Sequence, residues 1–94
     1  MQAFVYILTN RTNDVLYIGV TNDLTRRIYE HKTHTFPGFT RNYNIVKLVY
    51  VESCNNIVDA IRREKQLKAW RLTWKRELIT SQNPRWQDLA PDIP

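Results

Sequence analysis

The sequence predicts an α+β fold, a small three-stranded antiparallel sheet flanked by helices in the order β-β-α-β-α-α. Two observations open the case: paired runs of β-branched and aromatic residues flank a cluster of turn formers, and a third such run follows a stretch containing Pro37 and Gly38. A third observation completes it, since the intervening and following segments carry apolar residues at helical spacing. The 94 residues read as one domain spanning 1–94, with a core of about 2–82 and a tail over 83–94, and a chain of this length buries a single modest core.

Residues 3 to 8 and 15 to 20 form the first two predicted strands. The polar cluster Thr9 to Asp14 between them suits a hairpin, and pairing Thr9 with Asp14 sets Tyr6 opposite Tyr17. Thr21, Asn22 and Asp23 offer capping side chains to a helix from Leu24 to His31, in which Leu24 and Ile28 share a face. Residues 33 to 44 read as a loop and Ile45 to Glu52 as the third strand. Asn55 or Asn56 caps a helix from Ile57 to Trp70, and a shorter helix follows over Thr73 to Ser81 before the Pro-bearing tail from Asn83.

Composition narrows the partners. With 43% hydrophobic residues and only two Gly and four Pro, the chain has the makings of a packed interior. The net charge of +5 favours an anionic partner. The excess is local: the first 31 residues balance, whereas positions 62 to 76 hold seven basic residues and one acid. Cys54 is the sole cysteine, which excludes an intramolecular disulfide and a cysteine-based zinc site and fits a reducing compartment. The apolar run Ala3 to Leu8 is too short for a membrane span or a signal segment, so a cytoplasmic location is expected.

Several polar residues interrupt the apolar pattern. Ile57, Ala60, Ile61 and Leu67 share one face of the second helix, and Glu64 falls in the middle of it. A carboxylate there has to be ion-paired, partly wetted at a cleft, or bound to a cation. On the first helix Arg27 and His31 share the face of Leu24 and Ile28; a snorkelling arginine and a structural histidine would account for them, and so would a cleft that gathers a cation, an imidazole and a carboxylate. Tyr6 and Tyr17 suit strand packing, yet a phenol beside an arginine or a metal can move a proton. Gly19, inside an apolar strand, marks a bulge or a close approach to the backbone. The basic stretch from Arg62 to Arg76, interleaved with Trp70 and Trp74, suits a nucleic-acid backbone or is a solvated helix whose indoles are core.

In order and spacing, these residues resemble the GIY-YIG nuclease superfamily, which includes intron homing endonucleases, the incision subunit of bacterial excision repair and structure-specific nucleases. Phe4-Val5-Tyr6 stands at the first tripeptide, with Phe4 in place of its Gly, and Tyr17-Ile18-Gly19 reproduces the second. Arg27, eight residues after Gly19, matches the catalytic arginine, with His31 at the next turn; Glu64 matches the metal-binding glutamate and Asn83 the late polar position. The stretch from Arg63 to Trp70, followed by Asn83-Pro84-Arg85-Trp86, looks like the small stand-alone members.

The resemblance implies the GIY-YIG fold and a metal-dependent endonuclease acting on DNA phosphodiester bonds, in repair or recombination. By it, Tyr6, Tyr17, Arg27, His31, Glu64 and Asn83 form the catalytic set, and Glu64 holds one Mg²⁺ or Mn²⁺ ion. Arg26, Arg63, Lys65, Lys68, Arg71 and Lys75 are the expected phosphate contacts, with DNA the first partner and RNA the second. Two other readings stand beside it: a module that binds nucleic acid without cutting it, and a nuclease active only with a protein partner.

Overall fold

The computed structural model describes residues 2–33, 38, 43–45 and 47–93. Its elements are β1 (Ala3–Thr9), β2 (Leu16–Thr21), α1 (Leu24–Lys32), β3 (Lys47–Cys54), α2 (Ile57–Ala69) and α3 (Leu72–Gln82), followed by a 3₁₀ turn at Ala90–Asp92. The sheet is antiparallel in the order β2-β1-β3, so the first strand is central and both its faces are covered. The expected order of strands and helices is the observed one.

Alternation along β1 divides the interior in two. Ala3, Val5 and Ile7 face one way, with Ile18 of β2, and pack under α2 and α3 against Ala60, Leu67 and Ile79. Tyr6 and Leu8 face the other way and pack under α1 against Leu24 and Ile28. Trp86 from the tail joins the first cluster, and Leu89, Ala90 and Ile93 pack on the second.

The hairpin differs from the sequence expectation in register. Thr9 pairs with Leu16 rather than Asp14, which sets Tyr6 opposite Gly19 and Tyr17 opposite Leu8. The cause is a wider turn. Asn10 accepts from the backbone N–H of Asp14 at 2.8 Å and of Val15 at 3.2 Å, and Asn13 takes a left-handed φ of 63°. These bonds keep residues 10 to 15 out of the ladder. The displacement is two residues, so every side chain keeps its expected face.

The third strand starts later than predicted, at Lys47, and runs on to Cys54. Ile45 is buried but lies outside it, Val46 lies outside the described residues, and most of the predicted 33–44 loop does too. Between Ile7 and Leu8 the register slips, because Ile7 faces Tyr50 and Leu8 faces Leu48, leaving Val49 as a bulge.

All three helices begin and end within one residue of expectation. Asp23 caps α1 by accepting from Arg26 N–H at 3.2 Å, and Asn56 caps α2 by accepting from Asp59 N–H at 2.9 Å. Trp70 is the C-cap of α2 in an extended conformation. One expectation about α2 is corrected: Ala60 and Leu67 face the sheet, but Ile57 and Ile61 are 40% and 39% exposed. The helix is turned so that the small Ala60 meets the strands, and the isoleucines beside it fall on the rim.

The tail closes the outer edge of β3. Asn83 donates to the carbonyl of the bulge residue Val49 at 3.1 Å, Leu89 N–H donates to Leu48 C=O at 2.7 Å, and Asp88 accepts from Leu48 N–H at 3.1 Å. An edge strand is thereby shielded from pairing with another chain.

Candidate active site

The site begins with a missing side chain. A Cβ placed on Gly19 would overlap Cζ and the hydroxyl of Tyr6 and come within 2.9 Å of Cε2. Glycine is therefore required for the Tyr6 ring to lie across the neighbouring strand, which is the close approach its place in the sequence suggested. Tyr17 sits two residues away on the same face, its ring centroid 6.4 Å from that of Tyr6.

The first helix supplies the imidazole. His31 lies one turn after Arg27, and its Nε2 is 3.1 Å from the Tyr6 hydroxyl. Its ring centroid is 5.8 Å from Tyr6 and 5.2 Å from Tyr17, so the three rings form a closed triangle. Burial, then the Arg27 charge, hold His31 below the ordinary histidine range against an opposing pull from Glu30. The imidazole is thus neutral at pH 7.

Tyr6 is 1% exposed, and burial is the first reason its phenol is pushed far above the usual range. Tyr17, Glu64 and Glu30 push the same way, and Arg27 pulls against them. The phenol is therefore a neutral hydroxyl that feels a guanidinium and two carboxylates at once.

Arg27 keeps an unusual vacancy in its bonding. Its Nε is buried and has no hydrogen-bond partner among the described residues, the Glu30 carboxylate standing 3.7 Å away. Such a group is expected where an anionic ligand completes it.

Glu64 arrives on α2, which packs over β1 and β2. Its side chain is 19% exposed and pairs with Lys68 at 3.5 Å, an i,i+4 contact on the same helix. The ion-pair reading of this residue is thus met, and part of the carboxylate side chain stays open to solvent. Among the described residues no group of three or more His, Cys, Asp or Glu side chains could hold a metal. A cation at Glu64 would have one protein carboxylate and fill its shell with water and substrate oxygens, a donor set that suits Mg²⁺ or Mn²⁺ and not zinc.

Asn83 is 6% exposed, donates to the Val49 and Gln87 carbonyls and accepts from Gln87 N–H at 3.1 Å. Its amide caps the bulge of β3, and its bonds run to backbone groups of β3 and the tail.

The basic stretch divides as well. Arg63 makes a two-pronged contact with Glu52, Nε to Oε2 at 2.9 Å and Nη2 to Oε1 at 3.2 Å, and also bonds Gln66. Tyr50 donates to the same carboxylate at 2.7 Å, and burial followed by that bond raises its phenol to about 12. Arg71 lies over the Trp74 ring, and Arg76 over Trp86 with a bond to Asn13 C=O. Arg26, Lys65 and Lys68 are exposed, and Lys75 is half-buried. Glu30 is the member of the site that the sequence reading passed over, although its three-residue spacing from Arg27 was a visible signal.

A model of the GIY-YIG catalytic domain matches residues 2–77. The chain belongs to the GIY-YIG family. Domains of this family are nuclease domains, generally dependent on a divalent metal and acting on nucleic acid. Among the relatives of this GIY-YIG chain, a UPF0213 protein of Clostridium perfringens is 34% identical over 90 residues, covering 96% of each chain. A UPF0213 protein of Desulfotalea psychrophila is 38% identical over 77 residues, 81% of this chain and 69% of the relative. The solution structure of a UPF0213 protein from Bacillus halodurans superimposes with a TM-score of 0.60 at 26% identity, covering 94% of this chain and 93% of the other. The likeness to these UPF0213 proteins runs over most of this GIY-YIG chain. Among the described residues no helix is long and apolar enough to cross a membrane.

Proposed function

We propose that the chain is an endonuclease that hydrolyses DNA phosphodiester bonds with one Mg²⁺ or Mn²⁺ ion held by Glu64. One arrangement carries the reading: the Tyr6 hydroxyl lies over Gly19, 3.1 Å from His31 Nε2, within reach of the charges of Arg27 and Glu64. A phenol, a neutral base, a guanidinium with an open donor and a carboxylate are what phosphoryl hydrolysis requires in one place.

In this reading Arg27 gives its open Nε–H to a phosphate oxygen, where negative charge grows as water attacks. As the water oxygen bonds to phosphorus, its proton passes to the Tyr6 oxygen and the Tyr6 proton passes to His31 Nε2. The imidazole becomes imidazolium, the phenol stays neutral, and the phosphorus bond to the leaving oxygen breaks, that oxygen taking a proton from solvent. Tyr17, stacked on the same triangle, keeps the rings in place and walls off the pair. A divalent cation bound at Glu64 supplies Lewis-acid neutralisation of the scissile phosphate.

Arg26, Lys65, Lys68, Arg71 and Lys75 are the phosphate contacts in this proposal. Arg63, already engaged with Glu52, holds α2 to the sheet instead. The partner-dependent reading is favoured by one observation, the exposed Ile57, Val58 and Ile61 on the helix that carries Glu64. A role in repair or recombination belongs to the same proposal and rests on the family likeness.

The test incubates purified protein with supercoiled plasmid, single-stranded DNA, branched DNA and RNA, each with Mg²⁺, Mn²⁺ or EDTA, beside Glu64→Ala. Metal-dependent cutting that disappears in the variant is expected. Cutting that persists in Glu64→Ala refutes the site, and salt-dependent binding without cutting on any substrate supports the binding module.

A further inference from the structure

The polar residues around the tyrosine triangle have each been given a task except Glu30. It lies three residues after Arg27 on α1, on the side of the helix that faces the cluster. Its side chain is 20% exposed, against 49% for Asp23 and 47% for Asp59 in the ion pairs those residues make on the surface. A carboxylate held this far from water acts on its neighbours with less screening than a surface one.

Two of its effects converge. Glu30 Oε1 stands 3.7 Å from Arg27 Nε, inside ion-pair range but too far for a hydrogen bond, so it attracts the guanidinium without filling the open donor. Its charge also reaches both Tyr6 and His31, and at each it opposes the charge of Arg27.

We infer that Glu30 is a positioning residue of the site, holding the Arg27 guanidinium beside the Tyr6–His31 pair while leaving its Nε–H open to substrate. Arginine has a long stem with several free torsions, and the fixed orientation of its planar head is what makes it useful to a phosphate. Glu30 limits that freedom from one helical turn away. It also supplies the negative charge against which an imidazolium forms on His31. Among the described residues, Arg27 and Glu30 from α1, Tyr6 from β1 and Tyr17 from β2 act on or touch His31, and of these four Glu30 is the negative one. The kinetic part of this inference rests on the nuclease reading, whereas the electrostatic part does not.

The experiment pairs two readouts on the same proteins. His31 is titrated by NMR in wild type and Glu30→Gln, and kcat and KM for plasmid cleavage are measured across pH. With Glu30 neutral, His31 is expected to titrate at lower pH, kcat to fall about tenfold, and KM to stay within about twofold. An unmoved His31 titration overturns the inference, and so does a moved titration with wild-type kcat. If wild type cuts nothing, the nuclease reading has failed and the titration alone decides whether Glu30 acts on His31. If Glu30→Gln does not fold, Glu30→Ala is read the same way: a lowered His31 titration with kcat down about tenfold supports the role, and an unmoved titration or wild-type kcat refutes it.

Discussion

The two edges of the sheet treat polar groups in opposite ways. Along β3, the tail satisfies nearly everything it brings: Asn83 is bonded at both ends of its amide, and Trp86 Nε1 donates to Thr80. Asp88 takes Lys32, Leu48 N–H and Ala90 N–H together. Around β2, by contrast, Arg27 Nε is buried without a partner, Glu64 meets one lysine at 3.5 Å, and Gly19 gives up a side chain so that a tyrosine can lie across it. Satisfied polar groups hold a fold together, and an open one beside a cluster of titratable side chains is a candidate ligand site. On the proposed function, the contrast separates residues that build the domain from those that act.

Removing the open donor is the strongest way to probe this contrast. Arg27→Met is expected to lower kcat by about 10²–10³-fold, as loss of a transition-state donor does. Because it also removes a buried unpaired group, its thermal midpoint is expected to hold or rise, which a melting curve checks. A loss of stability in Arg27→Met would move the arginine to the building side.

Gly19→Ala is expected to have the next largest effect. The added methyl has to displace the Tyr6 ring, destabilising the fold by about 1–3 kcal/mol. Misplacing the hydroxyl is expected to reduce kcat by about 100-fold, measured on the folded fraction.

Asn83→Ala belongs to the other side of the comparison. It strips partners from the Val49 and Gln87 carbonyls and the Gln87 N–H, and a loss of about 2 kcal/mol is expected in urea unfolding. DNA cutting is expected to track the folded fraction. A catalytic defect larger than the unfolding explains would return Asn83 to the chemical set.

The smallest effects are in pH dependence. Burial raises the Asp88 carboxyl, but the bond from Lys32, the two backbone N–H groups and the lysine charge outweigh it, so its folded value lies below the unfolded one. Its contribution is present above the unfolded value near 3.8 and is lost as pH falls through the lower folded value. His31 is also depressed, but it is a base, so the unfolded chain takes up the proton first. Stability is expected to fall as pH drops from about 6.5 toward the folded value and then level off. His31→Gln should remove the first decline and Asp88→Asn the second, as unfolding curves at stepped pH will show.

Much of this was legible in the sequence, and the reasons are physical. The order of elements followed from periodicity, and Tyr6, Tyr17, Arg27 and His31 were placed on facing surfaces because a two-residue error in register leaves strand faces unchanged. Gly19 was flagged because glycine in an apolar strand needs a reason. The register itself was not legible, since it was set by Asn10 reaching two backbone N–H groups across the turn. Nor was the exposure of Ile57 and Ile61, which depends on how α2 rolls onto the sheet around Ala60. The bonds of Asn83 were not legible either, because a polar residue at the expected spacing gives no hint that a β-bulge takes its amide.

On the proposed function, Glu64, on a helix over one face of the sheet, forms a single centre with Tyr6, His31 and Arg27 from the other. Titrating ¹⁵N- and ¹³C-labelled protein with substoichiometric Mn²⁺ tests it directly, because the ion broadens resonances near it. Selective loss of the Arg27 Nε–H and Tyr6 ring signals together with the α2 amides around Glu64 is expected, and all of it should vanish in Glu64→Ala. Broadening that gathers at surface carboxylates such as Asp23 or Asp59, or that persists unchanged in Glu64→Ala, would contradict the account.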